Sequence, residues 1–250
     1  MSSSASIRSG SNRSAPAEQL ERVIDLISDG DLSLEVRWIV PGVLPPEMIE
    51  WFGPSGAGVE TRLDSYLVNR TGRDVSVKLR AESQLDVKVY GGSPSVLTRP
   101  GRAQGRLGWW RKWSFPLRAV AGAIGPTGWA SVQKVRRIRF TSSDGRPIVS
   151  KADATVAGGC AVELSDVFVD RRPWWTLGFE ATGPARALID KVDASAALIF
   201  NDPLPAGVTL DIAHSMSYSE WLATNFREAS VPIEIRGGRP NPDSAHDRSV

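Results

Sequence analysis

Charged side chains recur at every second residue in several apolar segments of the sequence. In "VSVKLR", Lys78 and Arg80 alternate with valine and leucine, and in "LDVKVY" the residues Asp86 and Lys88 do the same. Such a period of two is typical of a β-strand that has one apolar and one polar face. The sequence therefore predicts neighbouring strands whose second face carries charge.

Other predicted strands contribute charge to the same face. The candidate positions are Glu35, Arg37, Lys78, Arg80, Lys88, Lys112, Lys134, Arg136, Glu163 and Glu180. Guanidinium and ammonium groups bind phosphate oxygens, and carboxylates hold Mg²⁺ or Mn²⁺. The mixture favours a site for a phosphate-rich anion with a divalent metal. A sheet with one face in water would show the same alternation, so both interpretations stay open.

The overall charge balance bears on the class of partner. The chain of 250 residues contains 30 Lys and Arg against 28 Asp and Glu, and its hydrophobic content of 41% is ordinary for a globular protein. Because basic residues are nearly matched by acidic ones, the composition argues against a nucleic-acid partner. An anion site must come from the local placement of charge, and the oligomeric state is left open.

Cysteine and histidine are scarce, which limits the possible chemistry. Cys160 is the single cysteine, and His214 and His246 are the two histidines. These numbers exclude an intramolecular disulfide and a thiolate zinc cluster, and they argue against Ser-His-Asp or Cys-His catalysis. We expect any chemistry to use carboxylates, lysine and arginine.

The chain is predicted to form one α+β domain over residues 17–235, flanked by flexible segments at 1–16 and 236–250 that are rich in Ser, Gly, Pro and Arg. No apolar run suits a signal peptide or a membrane span, which predicts a cytoplasmic protein without membrane contact. Strands are predicted in 33–40, 60–69, 75–80, 85–90, 106–117, 160–169 and 174–183, with a hairpin in 129–149. Helices are predicted in 16–30, 45–53, 184–200 and 218–226, and Leu188, Ile189, Val192 and Ile199 form the apolar face of the third.

Most of these strands can pair with a neighbour in sequence. The expected architecture is an antiparallel β-barrel, closed or strongly curved into a tunnel, with helices packed outside.

The ordered set of strand motifs resembles the CYTH or triphosphate tunnel metalloenzyme family. "SLEVR" is similar to the Glu-x-Glu-x-Lys signature strand, "TRLDSYLVN" and "VSVKLR" to the next two strands, and "LDVKVY" to a strand with a lumen-facing lysine. "VQKVRRIRF" resembles the Lys-x-Arg strand, and "CAVELSDV" with "TLGFEATG" resembles the closing pair. The resemblance runs from about residue 33 to residue 183. Ser33 stands where the family has its first signature Glu, and Arg37 replaces the Lys.

The resemblance implies a metal-dependent phosphohydrolase that binds inorganic triphosphate, thiamine triphosphate or a similar polyanion in a charged tunnel. By this likeness Glu35, Glu163 and Glu180 would hold Mg²⁺ or Mn²⁺, with Glu35 and Glu180 also placing the attacking water. Triphosphate binding would fall to Arg37, Lys78, Arg80, Lys88, Lys112, Lys134 and Arg136. Ser33 favours one alternative, a catalytically silent relative that binds polyphosphate or a nucleotide. A second alternative is a protein-interaction module with a purely structural barrel. Asp64, Glu82 and Asp86 are the candidates to replace the acid missing at Ser33.

Overall fold

The structure is a computed structural model that describes residues 30–55, 58–68, 73–80, 83–117, 128–148 and 159–226. The predicted flexible segments 1–16 and 236–250 lie outside the described residues, as does the predicted first helix apart from Gly30. Eleven strands, three α-helices and one 3₁₀ turn are present in the described ranges.

The strands are β1 (Asp31–Pro41), β2 (Val59–Leu67), β3 (Val75–Arg80), β4 (Gln84–Tyr90), β5 (Val96–Arg99), β6 (Ala103–Arg106), β7 (Gly108–Pro116), β8 (Trp129–Thr141), β9 (Pro147–Ile148), β10 (Cys160–Val169) and β11 (Arg172–Thr182). The helices are α1 (Pro46–Phe52), α2 (Ala185–Ile199) and α3 (Tyr218–Asn225), and the 3₁₀ turn is Ile212–His214. The predicted strands and the last three predicted helices are all found. The short hairpin β5–β6 was not predicted.

Eight strands close into an antiparallel barrel. Their order is β10-β11-β1-β7-β4-β3-β2-β8, and β8 pairs with β10 to complete the circle. β9 extends β8 as a hairpin, and β5 and β6 form a separate two-stranded sheet. The predicted α+β barrel with helices packed outside is confirmed.

The alternation along each strand separates the two faces of the barrel. In β1, the side chains of Leu34, Val36 and Trp38 are at most 2% exposed and belong to the core outside the barrel. Glu35 and Arg37, between them in sequence, line the lumen. This is the consequence of a pleated strand, in which successive Cβ atoms point to opposite faces.

A tight turn sets the register of β10 against β11. Asp170 and Arg171 have φ angles of 49° and 61°, the left-handed conformation that a two-residue type I′ turn requires. The resulting pairing places Glu163 opposite Gly178 and Glu180 opposite Ala161. The turn therefore fixes where two candidate carboxylates enter the lumen.

The larger apolar core lies between the barrel and α2. Leu188, Val192, Ala196 and Ile199 are buried there, at the spacing of one helix face. Ile189, predicted on this face, is 42% exposed. The prediction was wrong for this residue because one helical step of about 100° from Leu188 turns Ile189 toward solvent.

The second core fills one end of the barrel. Ile39 from β1, Tyr66 from β2 and Val132 from β8 meet Trp221 and other residues of the α3 region, and Trp221 is completely buried. α3 thus covers an apolar end of the barrel, and the charged part of the lumen lies beyond it. Among the described residues, no helix combines the length and the apolarity that crossing a membrane requires.

Candidate functional site

The lumen contains a cavity of about 820 Å³, within the size range of small-molecule sites. All ten candidate charged residues line this cavity: Glu35, Arg37, Lys78, Arg80, Lys88, Lys112, Lys134, Arg136, Glu163 and Glu180. They come from seven of the eight barrel strands. The eighth, β2, adds Glu60 and Arg62, which sequence reasoning missed. The period-two signal was present in "ETRLDSYL", but exposed Leu63 and the polar Thr61 obscured its apolar face.

Glu35 and Glu180 face each other across β1 and β11 and share one lysine. The Lys88 ammonium lies 2.5 Å from Glu35 and 3.0 Å from Glu180. Burial disfavours the charged form of Lys88, but the two carboxylates outweigh it and raise the pKa of Lys88 above its ordinary value. The same ammonium lowers the pKa of Glu180. Two acids and one lysine leave this group with one uncompensated negative charge.

Ser33 belongs to this group. Its hydroxyl donates a hydrogen bond to Glu35 at 2.8 Å, and the residue is 2% exposed. Because Ser33 and Glu35 are two residues apart on one strand, both side chains point to the same face. Ser33 therefore orients Glu35 without adding a charge.

The group around Asp86 has an excess of basic side chains, whereas the group around Lys88 has an excess of acidic ones. Three cations surround its carboxylate: Arg80 at 2.7 Å, Lys78 at 3.7 Å and Lys112 at 3.9 Å. Asp86 is 1% exposed, whereas the three cationic side chains are 13–29% exposed to the lumen. One acid faces three bases, so basic side chains are in excess in this group. In addition, the Arg80 Nε atom is buried and has no hydrogen-bond partner within the described part of the chain.

Two neutral side chains complete the coordination of Asp86. Ser114 and Gln84 donate hydrogen bonds to Oδ1 at 2.7 and 2.6 Å. Burial would raise the pKa of Asp86, but the Ser114 hydrogen bond and the nearby cations lower it below the ordinary value. Asp86 is consequently a fixed anion that holds the three bases in place.

Lys134 lies deeper, at the border of the apolar end. Its ammonium is 3.3 Å from Asp64, 2.8 Å from the Tyr66 hydroxyl and 3.8 Å from the centre of the Tyr218 ring. Asp64 is also bound by Arg62 at 3.0 Å. Burial is the main cause that lowers the pKa of Lys134 to about 7, against the opposing charges of Asp64 and Glu163.

Glu163 belongs to a fourth group, with two arginines. Arg136 approaches it at 2.5 Å and Arg37 at 3.5 Å, and Arg136 also binds Glu60 at 2.7 Å. Although burial opposes its ionisation, Arg37 and Arg136 lower the pKa of Glu163 well below its ordinary value. Gly178 makes room for this arrangement, because a Cβ atom there would lie 2.7 Å from the Arg37 Cζ atom.

The predicted metal ligands Glu35, Glu163 and Glu180 do not fit a common metal ion. Glu35 and Glu180 are bridged by Lys88, whereas Glu163 is neutralised by arginines in a separate group. In the described ranges, no three residues among His, Cys, Asp and Glu form a group suited to a metal. A hard divalent ion depends on converging, unneutralised carboxylates.

The candidates for a replacement acid are engaged elsewhere. Asp64 binds Arg62 and Lys134, and Asp86 binds the three cations around it. Glu82, the third candidate, lies outside the described residues. The role predicted for a metal therefore stays a prediction that these contacts do not support.

No protein-family model matches the chain, and no curated protein matches it. Among solved structures, a conserved hypothetical protein from Pyrococcus furiosus aligns with 74% of this chain and 98% of its own length. The identity is 13% and the TM-score is 0.35, which is too low to support an argument. The resemblance to the CYTH family stays a prediction.

Proposed function

We propose that the protein binds a compact polyanion, a triphosphate or a molecule that carries one, in the lumen of the barrel. The observation that supports this most directly is the group around Asp86. Lys78, Arg80 and Lys112 share one buried carboxylate and expose part of each side chain to the cavity. Excess positive charge in a confined site of low dielectric attracts an anion strongly.

The rest of the lumen suits the same ligand. Eight basic side chains from the barrel strands, the seven candidates and Arg62, line the cavity. The Arg80 Nε atom is a buried donor that a phosphate oxygen could satisfy, because guanidinium groups bind such oxygens through several N–H groups. The apolar end under α3 leaves the cavity of about 820 Å³ free. This argues against the alternative of a purely structural barrel in an interaction module.

Titration calorimetry with inorganic triphosphate in the presence of a chelator tests the proposal. We expect binding that weakens with salt and that falls at least tenfold in Arg80→Met, since a charge-assisted hydrogen bond contributes about 1.5–3 kcal/mol. Arg137→Met is the matched control, because Arg137 pairs with Asp166 and does not line the cavity. No binding of triphosphate, pyrophosphate or sulfate, or equal loss in both variants, would refute the proposal.

Hydrolysis of the bound anion is a second candidate function. It is favoured by the pair Glu35 and Glu180, whose charge Lys88 compensates only in part. We place it after binding because Glu163 belongs to a different group. Phosphate release from triphosphate and thiamine triphosphate with Mg²⁺ or Mn²⁺, compared with Glu35→Gln, tests it. Metal-dependent turnover that is lost in the variant would establish a hydrolase, and binding without turnover would leave the binding function alone.

A further inference from the structure

We propose that anion binding in the lumen is coupled to the uptake of one proton by Lys134. The inference rests on the proposed function, since it concerns the same cavity. It assigns to Lys134 a role that differs from that of the other lumen lysines: this side chain changes its charge when the ligand arrives.

The position of Lys134 is the first argument. The residue is 2% exposed although it lines the cavity. Its ammonium lies 3.8 Å from the centre of the Tyr218 ring and 4.9 Å from that of Tyr66, and the two rings stack with centroids 5.3 Å apart. Because α3 is anchored by the buried Trp221, the tyrosine cover keeps bulk water away from the amine. A buried amine loses much of the hydration that stabilises its charged form.

The second argument is a local shortage of negative charge. Asp64 is the carboxylate nearest to Lys134, but it is shared with Arg62. The groups that face Lys134 from the surrounding elements are Arg37 (β1), Arg62, Asp64 and Tyr66 (β2), Lys78 (β3), Glu163 (β10) and Tyr218 (α3), with Arg136 next to it on β8. Both tyrosines are neutral at physiological pH, since burial raises the pKa of Tyr218 to about 12 and that of Tyr66 well above its ordinary value. Basic side chains therefore outnumber acidic ones around this amine.

Burial and the neighbouring arginines both disfavour the charged form of Lys134. With its pKa lowered to about 7, chiefly by burial, Lys134 is partly neutral at neutral pH in the free protein. A polyanion in the lumen adds the missing negative charge and favours the ammonium form. By linkage, the affinity for the anion must then decrease as pH rises above about 7.

Lys78 is the neighbour from which Lys134 must be distinguished. Burial and then the charge of Lys134 lower the pKa of Lys78 well below its ordinary value. Lys78 is 13% exposed and contacts Asp86, whereas Lys134 is at the border of the apolar end. Lys134 is the less exposed of the two, at 2% against 13%, and it lies against two tyrosine rings, so we assign the proton to it and test Lys78 with a variant of its own.

Calorimetry of the full chain with inorganic triphosphate and a chelator measures the net number of protons exchanged, and the same titration of Lys134→Met gives the part that the ligand's own ionisation contributes. The binding enthalpy is compared at pH 8 in two buffers of different ionisation enthalpy, which gives the number of protons taken up. A group with a pKa of about 7 is about one-tenth protonated at pH 8. We expect uptake of between about half a proton and one proton, and affinity that falls up to about tenfold per pH unit between pH 7 and 9.

Two variants assign the effect. Lys134→Met should abolish the uptake and flatten the pH dependence, and its thermal unfolding shows whether it is folded. Lys78→Met removes the neighbouring lysine whose pKa is also lowered, and it should weaken binding while keeping the uptake. Loss of the uptake in Lys78→Met would overturn the assignment to Lys134. An equal net proton exchange in the unmodified protein and in Lys134→Met would overturn the assignment. No binding at any pH would refute the proposed function itself, and this inference with it.

Discussion

Replacing Asp86 with asparagine should strengthen anion binding and weaken the fold, two effects of opposite sign. Asp86 is buried and holds Lys78, Arg80 and Lys112 within 3.9 Å. Asparagine has nearly the same shape and keeps an oxygen that can accept from Ser114, which donates to Asp86 at 2.7 Å. The substitution therefore removes one negative charge and leaves most of the geometry.

The gain in affinity follows from Coulomb's law. A phosphate bound on these cations would lie roughly 7 Å from the Asp86 carboxylate, and at an effective dielectric constant of about 20 their repulsion is about 2 kcal/mol per unit of ligand charge. Asp86→Asn should therefore tighten binding of triphosphate by at least about 30-fold. Sulfate should show a smaller gain, because it carries fewer charges.

The loss in stability follows from the three cations that the variant leaves without their anion. Removing one partner from a buried ion pair costs about 3–5 kcal/mol, and partial exposure of these cations favours the lower end. The depressed pKa of Asp86 means that its contribution is present above the ordinary value of 3.8 and is lost as pH falls below it. The stability difference between the two proteins should therefore shrink in acid.

Calorimetry and denaturant unfolding measure the two effects on the same samples. Asp166→Asn is the control: Asp166 pairs with Arg137 at 3.0 Å, does not line the cavity, and should leave affinity unchanged. Weaker binding in Asp86→Asn than in the unmodified protein would refute the reasoning, since it would mean that Asp86 acts mainly by positioning. Equal gains in both variants would show a nonspecific effect of net charge.

Three further predictions concern other parts of the lumen. Lys88→Met leaves Glu35 and Glu180 together without their ammonium, so we expect the unfolding free energy at pH 7 to fall by about 3 kcal/mol. The loss should recover in acid, where one of the two carboxylates is protonated. A loss that is independent of pH would contradict this. Ser33→Glu adds a third acid beside that pair, and Mn²⁺ should then raise the melting temperature of the variant more than that of the unmodified protein. Trp221→Ala removes the fully buried ring by which α3 packs on the barrel end, and it should cost about 3–5 kcal/mol in denaturant unfolding. A change below about 1 kcal/mol would show that α3 does not stabilise the barrel end.

The period-two alternation of the sequence correctly predicted most of the charged side chains that enter the lumen. Lys78 and Arg80, like Glu35 and Arg37, line the cavity because a pleated backbone sends every second side chain to the same face. This information is local, so it can be read without knowing the fold. The β5–β6 hairpin was not predicted, because its four-residue strands are too short to show a period of two.

The pairing of charges could not be predicted from the sequence. Lys88 meets Glu35, 53 residues away, and Glu180, 92 residues away. Glu163 contacts the arginines because the register of β10 against β11 places it opposite Gly178, away from the other two acids. Barrel closure and strand register set these distances, and ionic interactions depend steeply on distance and burial.

The sequence by itself therefore predicted strands with one charged face and most of the residues on that face, although it missed Glu60 and Arg62 of β2. Only the tertiary structure determined which acids are neutralised, which cations are in excess around Asp86, and that Lys134 is buried beneath Tyr218. The physical reason is that the local backbone sets the face of the strand to which each side chain points. Whether a charged side chain is paired or buried depends instead on atoms brought together from distant parts of the chain.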